Sequence, residues 1–238
     1  MKLTKLYIEG KLIKRYKRFL ADVELENGDI ITAHTPNTGS MRGCSEPGSK
    51  VWLYDTQNPN RKYRYSWDLV ADTNNNLVGI HTGRENLLVK EAIESGVITE
   101  LAGYSSIKNE VAFESSARFD LFLSNHPHKP DCFVEVKNVT AIDEQGVAIF
   151  PDAVTARGTK HLQVLIDAAQ QGFRAVMVFC IQRNDVHEFR AAYEIDPLYA
   201  QTLKLAHAQG VEIYAYKTEL SPKEIFLSQA VVVQLPRK

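Results

Sequence analysis

The sequence predicts two domains of different class: a small closed β-barrel of the OB type, then an α/β sheet with flanking helices. Three observations carry this. The first 80 residues read as all-β, with short runs of β-formers between turn formers. Beyond about residue 82, helical and strand periods follow one another. Charge divides at the same place: residues 1–80 hold 12 Lys and Arg against 9 Asp and Glu, and the rest of the 238-residue chain holds 16 against 20.

Within the first domain, strands are expected near residues 6–13 and 18–25. Glu26-Asn27-Gly28-Asp29 supplies an Asn-Gly hairpin turn into a third strand at 30–34. A turn-rich loop over residues 35–48 leads to strands at 50–54, 65–71 and 77–80. Trp52 and Trp67 are expected in the barrel core. In the second domain, residues 86–95 show helical apolar spacing, with Gly96 as a stop. Strand patterns follow at 110–114, 118–123 and 132–137, then an amphipathic helix at 159–171 ended by Gly172. The unbroken apolar run at 175–181 reads as a strand covered on both faces. A helix at 197–209 and a strand at 211–216 complete an α-β-β-β-α-β-α-β order, which is not the repeating βαβ of a doubly wound fold.

Bulk properties narrow the function classes. The net charge of −1 excludes a wholly basic coat but allows a local basic face. Cys44, Cys132 and Cys180 form no CxxC pair and no zinc spacing, which points away from a disulfide framework. The first residues have no apolar signal-peptide core, and no run reaches the roughly 18 apolar residues of a membrane span. A cytoplasmic setting is the expectation, with no membrane partner. Oligomeric state stays open, a homodimer included.

The sharpest chemical signal is Asp120 in Arg118-Phe119-Asp120, followed by Glu135-Val136-Lys137. On a strand, Glu135 and Lys137 leave the same face, and a hairpin neighbour would bring Asp120 to them. Two carboxylates and a strand carbonyl are hard oxygen ligands suited to Mg²⁺ or Mn²⁺. Such an ion would draw in a phosphodiester, and Lys137 would orient water or offset developing negative charge. The plainer alternative is a surface salt bridge. The spacing and element order resemble the PD-(D/E)xK nuclease superfamily, with Phe119 where the name-giving proline often stands. That resemblance suggests a further acid: Glu91 on the first helix ranks first, and Glu110 second.

Residues 150–161 open the second helix, where free N–H groups favour anions. Arg157, Lys160 and His161 would add donors for phosphate, whereas Asp152 or Thr155 would cap the helix. In the first domain, Lys14, Arg15, Lys17 and Arg18 interleave with Tyr16 and Phe19, and Arg61, Lys62 and Arg64 surround Tyr63. Cations for phosphates beside aromatics for bases form a nucleic-acid pattern. A solvated charged face is the alternative.

Taken together, residues 14–22, 34–43, 101–106, 133–140, 150–162, 195–200 and 210–213 resemble the sugar fermentation stimulation protein (SfsA) family. The resemblance implies an OB-like domain over 1–82 and a PD-(D/E)xK nuclease-like α/β domain over 83–238. It also implies DNA binding without strong sequence preference and a regulatory link to sugar, notably maltose, utilisation. Its metal positions carry over to Asp120, Glu135 and Lys137. The expected function is therefore DNA binding with a divalent-metal nuclease-like site. The enzyme alternative is Mg²⁺- or Mn²⁺-dependent hydrolysis of DNA or RNA. An operator-specific regulator is disfavoured by the lack of a helix-turn-helix, and a glycosidase by the lysine and strand setting of the acids.

Overall fold

The computed structural model describes residues 1–3, 5–114 and 117–235. Its first unit contains β1 (Tyr7–Tyr16), β2 (Leu20–Leu25), β3 (Ile30–His34), β4 (Lys50–Asp55), β5 (Tyr65–Ala71) and β6 (Leu77–Gly79). The order β3-β2-β1-β4-β5 closes on itself, because β3 also pairs in parallel with β5 at Ala33↔Tyr65 and His34↔Ser66. A five-stranded barrel results, with β6 beside β5. Closure demands curvature from β1, which serves both β2 and β4. A bulge between Leu12 and Lys14 supplies part of it. Gly10 lets β1 and β2 approach closely: a Cβ there would stand 2.5 Å from Val23 Cγ1. Leu12, Val23, Leu53 and Trp67 fill the barrel, whereas Trp52 belongs to a satellite cluster on its outside.

The second unit begins with α1 (Glu85–Glu94) and continues through β7 (Ser106–Phe113), β8 (Ala117–Ser124), β9 (Cys132–Val139), β10 (Ala148–Phe150) and α2 (Ala156–Gln170). Then come β11 (Arg174–Ile181), β12 (Glu188–Ala191), α3 (Pro197–Ala208), β13 (Glu212–Leu220), β14 (Ile225–Ala230) and β15 (Val232–Gln234). Six strands form a mixed sheet in the order β14-β13-β11-β9-β8-β7, with β9, β11 and β13 parallel. Helix α1 covers one face through Leu88, Ala92 and Ile93 against Val134 and Val178. Helices α2 and α3 cover the other through Leu162, Leu165 and Leu203 against Phe133 and Phe179. Strand β11 is thus buried on both sides, as its unbroken apolar run requires.

Besides Trp52, the sequence expectation missed strand β14, which pairs antiparallel with β13, and two further features differ. Helix α2 starts at Ala156, three residues early, because Thr155 Oγ1 accepts from Gly158 N at 3.0 Å and caps it there. Strands β10, β12 and β15 form a small separate sheet; at three or four residues each they are too short to show a period.

Buried ion pairs join the two units. Arg183, 1% exposed, donates to Asp72 at 2.7 Å, to Asp185 at 2.6 Å and to the Thr140 carbonyl at 3.1 Å. Arg84, the residue before α1, donates to the buried barrel carboxylate of Asp68 at 2.5 Å, and Tyr7 OH donates to the same oxygen. The barrel therefore holds the start of the helix that reaches the site.

Candidate functional site

Strands β8 and β9 pair at Leu121↔Val134, Phe122↔Phe133 and Leu123↔Cys132, and there the ladder ends. From Asp120 backward β8 peels away. The Asp120 carboxylate replaces the missing ladder bond, since Oδ2 accepts from Val136 N at 2.8 Å. Asn86, in the first turn of α1, donates to Asp120 Oδ1 at 2.9 Å. Phe119, where a proline was the family expectation, is buried with its ring 4.8 Å from that of Phe133. An aromatic stack thus takes over the packing at the point of divergence.

On β9, Val134 and Val136 join the core beneath α1, so alternation turns Glu135 and Lys137 together toward α2. Lys137 Nζ lies 2.5 Å from Glu135 Oε1. His161, one turn into α2, contacts that same oxygen through Nδ1 and lies 3.2 Å from Lys137 Nζ. Arg157 Nε donates to His161 Nε2 at 3.3 Å. With Nε2 accepting, the ring proton sits on Nδ1 and is donated to Glu135. Glu135, Arg157, Lys160 and His161, with Phe119 and Val164, line a cleft of about 280 Å³ in the wedge between β8 and α2.

The charges bear on one another. Burial raises the Asp120 carboxyl above its ordinary range, and repulsion from Glu135 adds to this, so the two acids are near enough to repel. Burial would raise Glu135 as well, but His161 and Lys137 outweigh it and hold that carboxyl low. Glu85, the first residue of α1, is pushed up to about 7 by burial and by the Asp120 charge. Its Oε2 is buried with no hydrogen-bond partner.

Glu85 therefore holds the place expected of Glu91. The Glu91 carboxylate pairs with the N-terminal ammonium at 2.8 Å, beside Phe226 and Leu227. Six residues along a helix carry a side chain well off the starting direction, which is why the two acids part. Glu110 is exposed and faces Arg118 at 3.9 Å. The apolar stripe does not single out Glu85, because that residue precedes it; an acid in the first turn of the helix is the one signal available. Asp120, Glu135 and the Val136 carbonyl remain as oxygen donors for a cation, with Glu85 adjacent. Among the described residues no three His, Cys, Asp or Glu side chains are already gathered at ligating range, because Glu135 is turned onto Lys137 and His161.

The basic face divides into two kinds of residue. Arg15 is not a free cation: its guanidinium donates to the carbonyls of Arg18, Asn37, Gly39 and Ser40 at 2.5, 3.1, 2.8 and 3.1 Å. It clamps the hairpin tip to the following loop, a correction to its expected phosphate role. Lys17 and Arg18 form the exposed tip itself, with left-handed φ values of 49° and 65° that non-glycine residues rarely adopt. Lys14 is exposed beside Asp22 at 3.6 Å, and Arg61 and Lys62 are exposed on the loop before β5. Arg157 and Lys160 are exposed at the mouth of the cleft. Asp152 does not cap α2. Its Oδ2 accepts from Ser40 N at 2.9 Å and Ser40 Oγ at 2.8 Å, tying the second unit to the barrel loop.

Residues 13–80 match the family model described as the SfsA N-terminal OB domain, and residues 83–224 match the sugar fermentation stimulation protein RE domain. A sugar fermentation stimulation protein homolog from Alkalilimnicola ehrlichii is 51% identical over 229 residues, covering 95% of this chain and 96% of the relative. A homolog from Shewanella sp. (strain MR-4) is 50% identical over 227 residues, 95% and 96% of the two chains. The structure of Pyrococcus furiosus SfsA in complex with Ca²⁺ superposes with a TM-score of 0.83 at 28% identity, over 98% of this chain and 99% of that one.

Proposed function

The chain belongs to the sugar fermentation stimulation protein (SfsA) family, and from that premise we propose that it binds DNA, largely without sequence preference, at a divalent-metal site set for phosphodiester hydrolysis. One observation carries the reading: where β8 leaves β9, the Asp120 carboxylate is bonded to Val136 N, the residue between Glu135 and Lys137, and Lys137 faces α2 beside Glu135. Two acids kept close at a cost call for a shared cation. The donor set fits one, being carboxylates and a carbonyl, with the unpartnered Glu85 oxygen next to them. The Ca²⁺ of the Pyrococcus furiosus relative supports an oxygen-ligated divalent site, for which Mg²⁺ or Mn²⁺ is the working ion here.

The chain's own residues divide the work. Asp120 and Glu135, with the Val136 carbonyl, would hold the ion, and Asn86 orients Asp120 through its 2.9 Å bond. When bound, the ion neutralises charge on the phosphoryl oxygens and favours ionisation of the attacking water. Lys137 places a positive charge where negative charge develops and orients the attacking water. Arg157 and Lys160 seat the phosphate at the cleft mouth. His161 fixes the rotamer of Glu135, and Arg157 fixes its tautomer. Lys14, Lys17, Arg18, Arg61 and Lys62 would follow the backbone across the barrel.

The test is cleavage of labelled single- and double-stranded DNA and RNA with Mg²⁺ or Mn²⁺. Glu135→Gln and Lys137→Ala should each lower the rate by about 100-fold or more, without loss of fold. Cleavage persisting at full rate in both variants would remove the hydrolytic reading.

A further inference from the structure

A second cleft of about 270 Å³ lies between the two domains, lined by Asn37 and Thr38 of the barrel loop, Thr82, and Asn138, Phe150 and Asp152 of the second unit. It starts at Asn138, the residue directly after Lys137 on β9, about one strand step of 3.3 Å onward. The lining continues through Val139 to Ala141 past the end of β9, so a strand whose phosphate sits at the proposed site would have a neighbouring nucleotide within reach of this opening. We propose that the cleft receives one unpaired nucleobase of a single-stranded segment, a reading that rests on nucleic-acid binding at the site above and names the substrate form that the site takes.

The chemistry of the walls selects a base. Val139, Ile149 and Phe150 give an apolar floor on which a flat ring can lie. Around it the hydrogen-bonding capacity is already sorted. Asn138 Oδ1 accepts from Gln182 Nε2, so its amide nitrogen is the group left to donate. Asn37 Oδ1 accepts from Gly39 N at 2.9 Å, which leaves that amide nitrogen as a second donor. Asp152 spends Oδ2 on Ser40 and Met41, leaving Oδ1 as an acceptor. Donors and an acceptor around an apolar floor match the Watson–Crick edge of a nucleobase, which pairing occupies inside a duplex.

The walls are also fixed in advance. Arg15 pins the carbonyls of Asn37 and Gly39, Asp152 pins Ser40 across the domain boundary, and Gln182 pins Asn138 while donating to the His81 carbonyl at 3.2 Å. A pocket held open in this way loses little freedom on binding. Because both domains contribute walls, the barrel becomes part of the site rather than a separate anchor.

The experiment measures binding with Ca²⁺ in place of Mg²⁺ or Mn²⁺, with three probes: a short single-stranded DNA carrying one 2-aminopurine, its duplex, and the same strand with that position abasic. The single strand should bind about tenfold more tightly than the abasic strand, with 2-aminopurine emission rising as the base leaves the stack. Asn138→Ala should bring the normal strand down to the abasic level and leave duplex affinity unchanged. Thr38→Phe, which fills the cleft from its rim, should do the same and guards against a folding artefact at Asn138. Equal affinity for normal and abasic strands would overturn the base pocket while leaving the DNA-binding reading in place. So would an equal loss for strand and duplex in both variants. Absence of binding to all three probes would remove both.

Discussion

Glu135 is 2% exposed and shares one oxygen between the half-buried Lys137 and His161, so removing its charge leaves those two facing each other. Glu85 offers a cleaner reading of electrostatics at the site. Its carboxyl titrates at about 7 in the folded protein against an ordinary 4.5. Between those values the native state holds more protons than the unfolded chain, so stability falls as pH rises through the window. The loss is about 3 kcal/mol at most, since each tenfold change in proton affinity is worth roughly 1.4 kcal/mol. Glu85→Gln should flatten that slope and stabilise the metal-free protein at pH 8, as read by thermal unfolding between pH 4 and 8 in EDTA; an unchanged slope would place the titration elsewhere. At this scale the sequence was readable where chemistry and period coincide. The shared face of Glu135 and Lys137 followed from strand alternation, whereas bringing Asp120 to them required the further expectation that its strand is their hairpin neighbour. The duty of Arg15 could not be read, because it is set by carbonyls that arrive 22 to 25 residues later.

The loop over residues 35–41 is held from two sides, by Arg15 within the barrel and by Asp152 from the second unit. Arg15→Ala would leave four carbonyls without this donor, those of Asn37 and Gly39 part-buried, a cost of about 1–3 kcal/mol in denaturant unfolding. It should also expose the loop to limited proteolysis, while a loss no larger than that of an exposed lysine variant would contradict the clamp. The elements themselves show what a one-dimensional pattern holds. Helices α2 and α3 were legible because burial repeats along them with a regular period, and strand β11 because its apolar run is unbroken. The small β10, β12 and β15 sheet was not, since its parallel pairings, such as Ala148↔Phe189, depend on tertiary contact and leave no local trace. The exchange of Glu91 for Glu85 has the same origin: periodicity locates a helix, but the direction of its first turn is set by the Asp68–Arg84 pair.

Buried ion pairs couple the two domains. Arg183→Ala would leave Asp72 buried without its partner, a cost of about 3–5 kcal/mol. Chemical unfolding should then show two transitions, the barrel separating from the sheet; a single transition with little change in midpoint would mean the junction is not where coupling resides. Charge also works at the scale of the molecule. Lys14, Lys17, Arg18, Arg61, Lys62, Arg157 and Lys160 are exposed along the proposed path of the backbone. Neutralising seven phosphates gives a log–log salt slope of about −5 for single strands and −6 for duplex. Lys17→Ala should reduce that slope by nearly one unit and Arg15→Ala should scarcely alter it, which separates the free cations from the clamp. Two domains with a change of charge between them were visible in the chain from the start. Their shared surface was not, because Asp72, Thr140 and Arg183 carry no motif until folding brings them together.

Crystals soaked in Mn²⁺ and measured at the manganese absorption edge bear most directly on the shared-cation account. An anomalous peak between the Asp120 and Glu135 carboxylates, lost in Asp120→Asn, is the predicted result. A peak at another place, or none at saturating Mn²⁺ with both acids still turned onto their present partners, would contradict it.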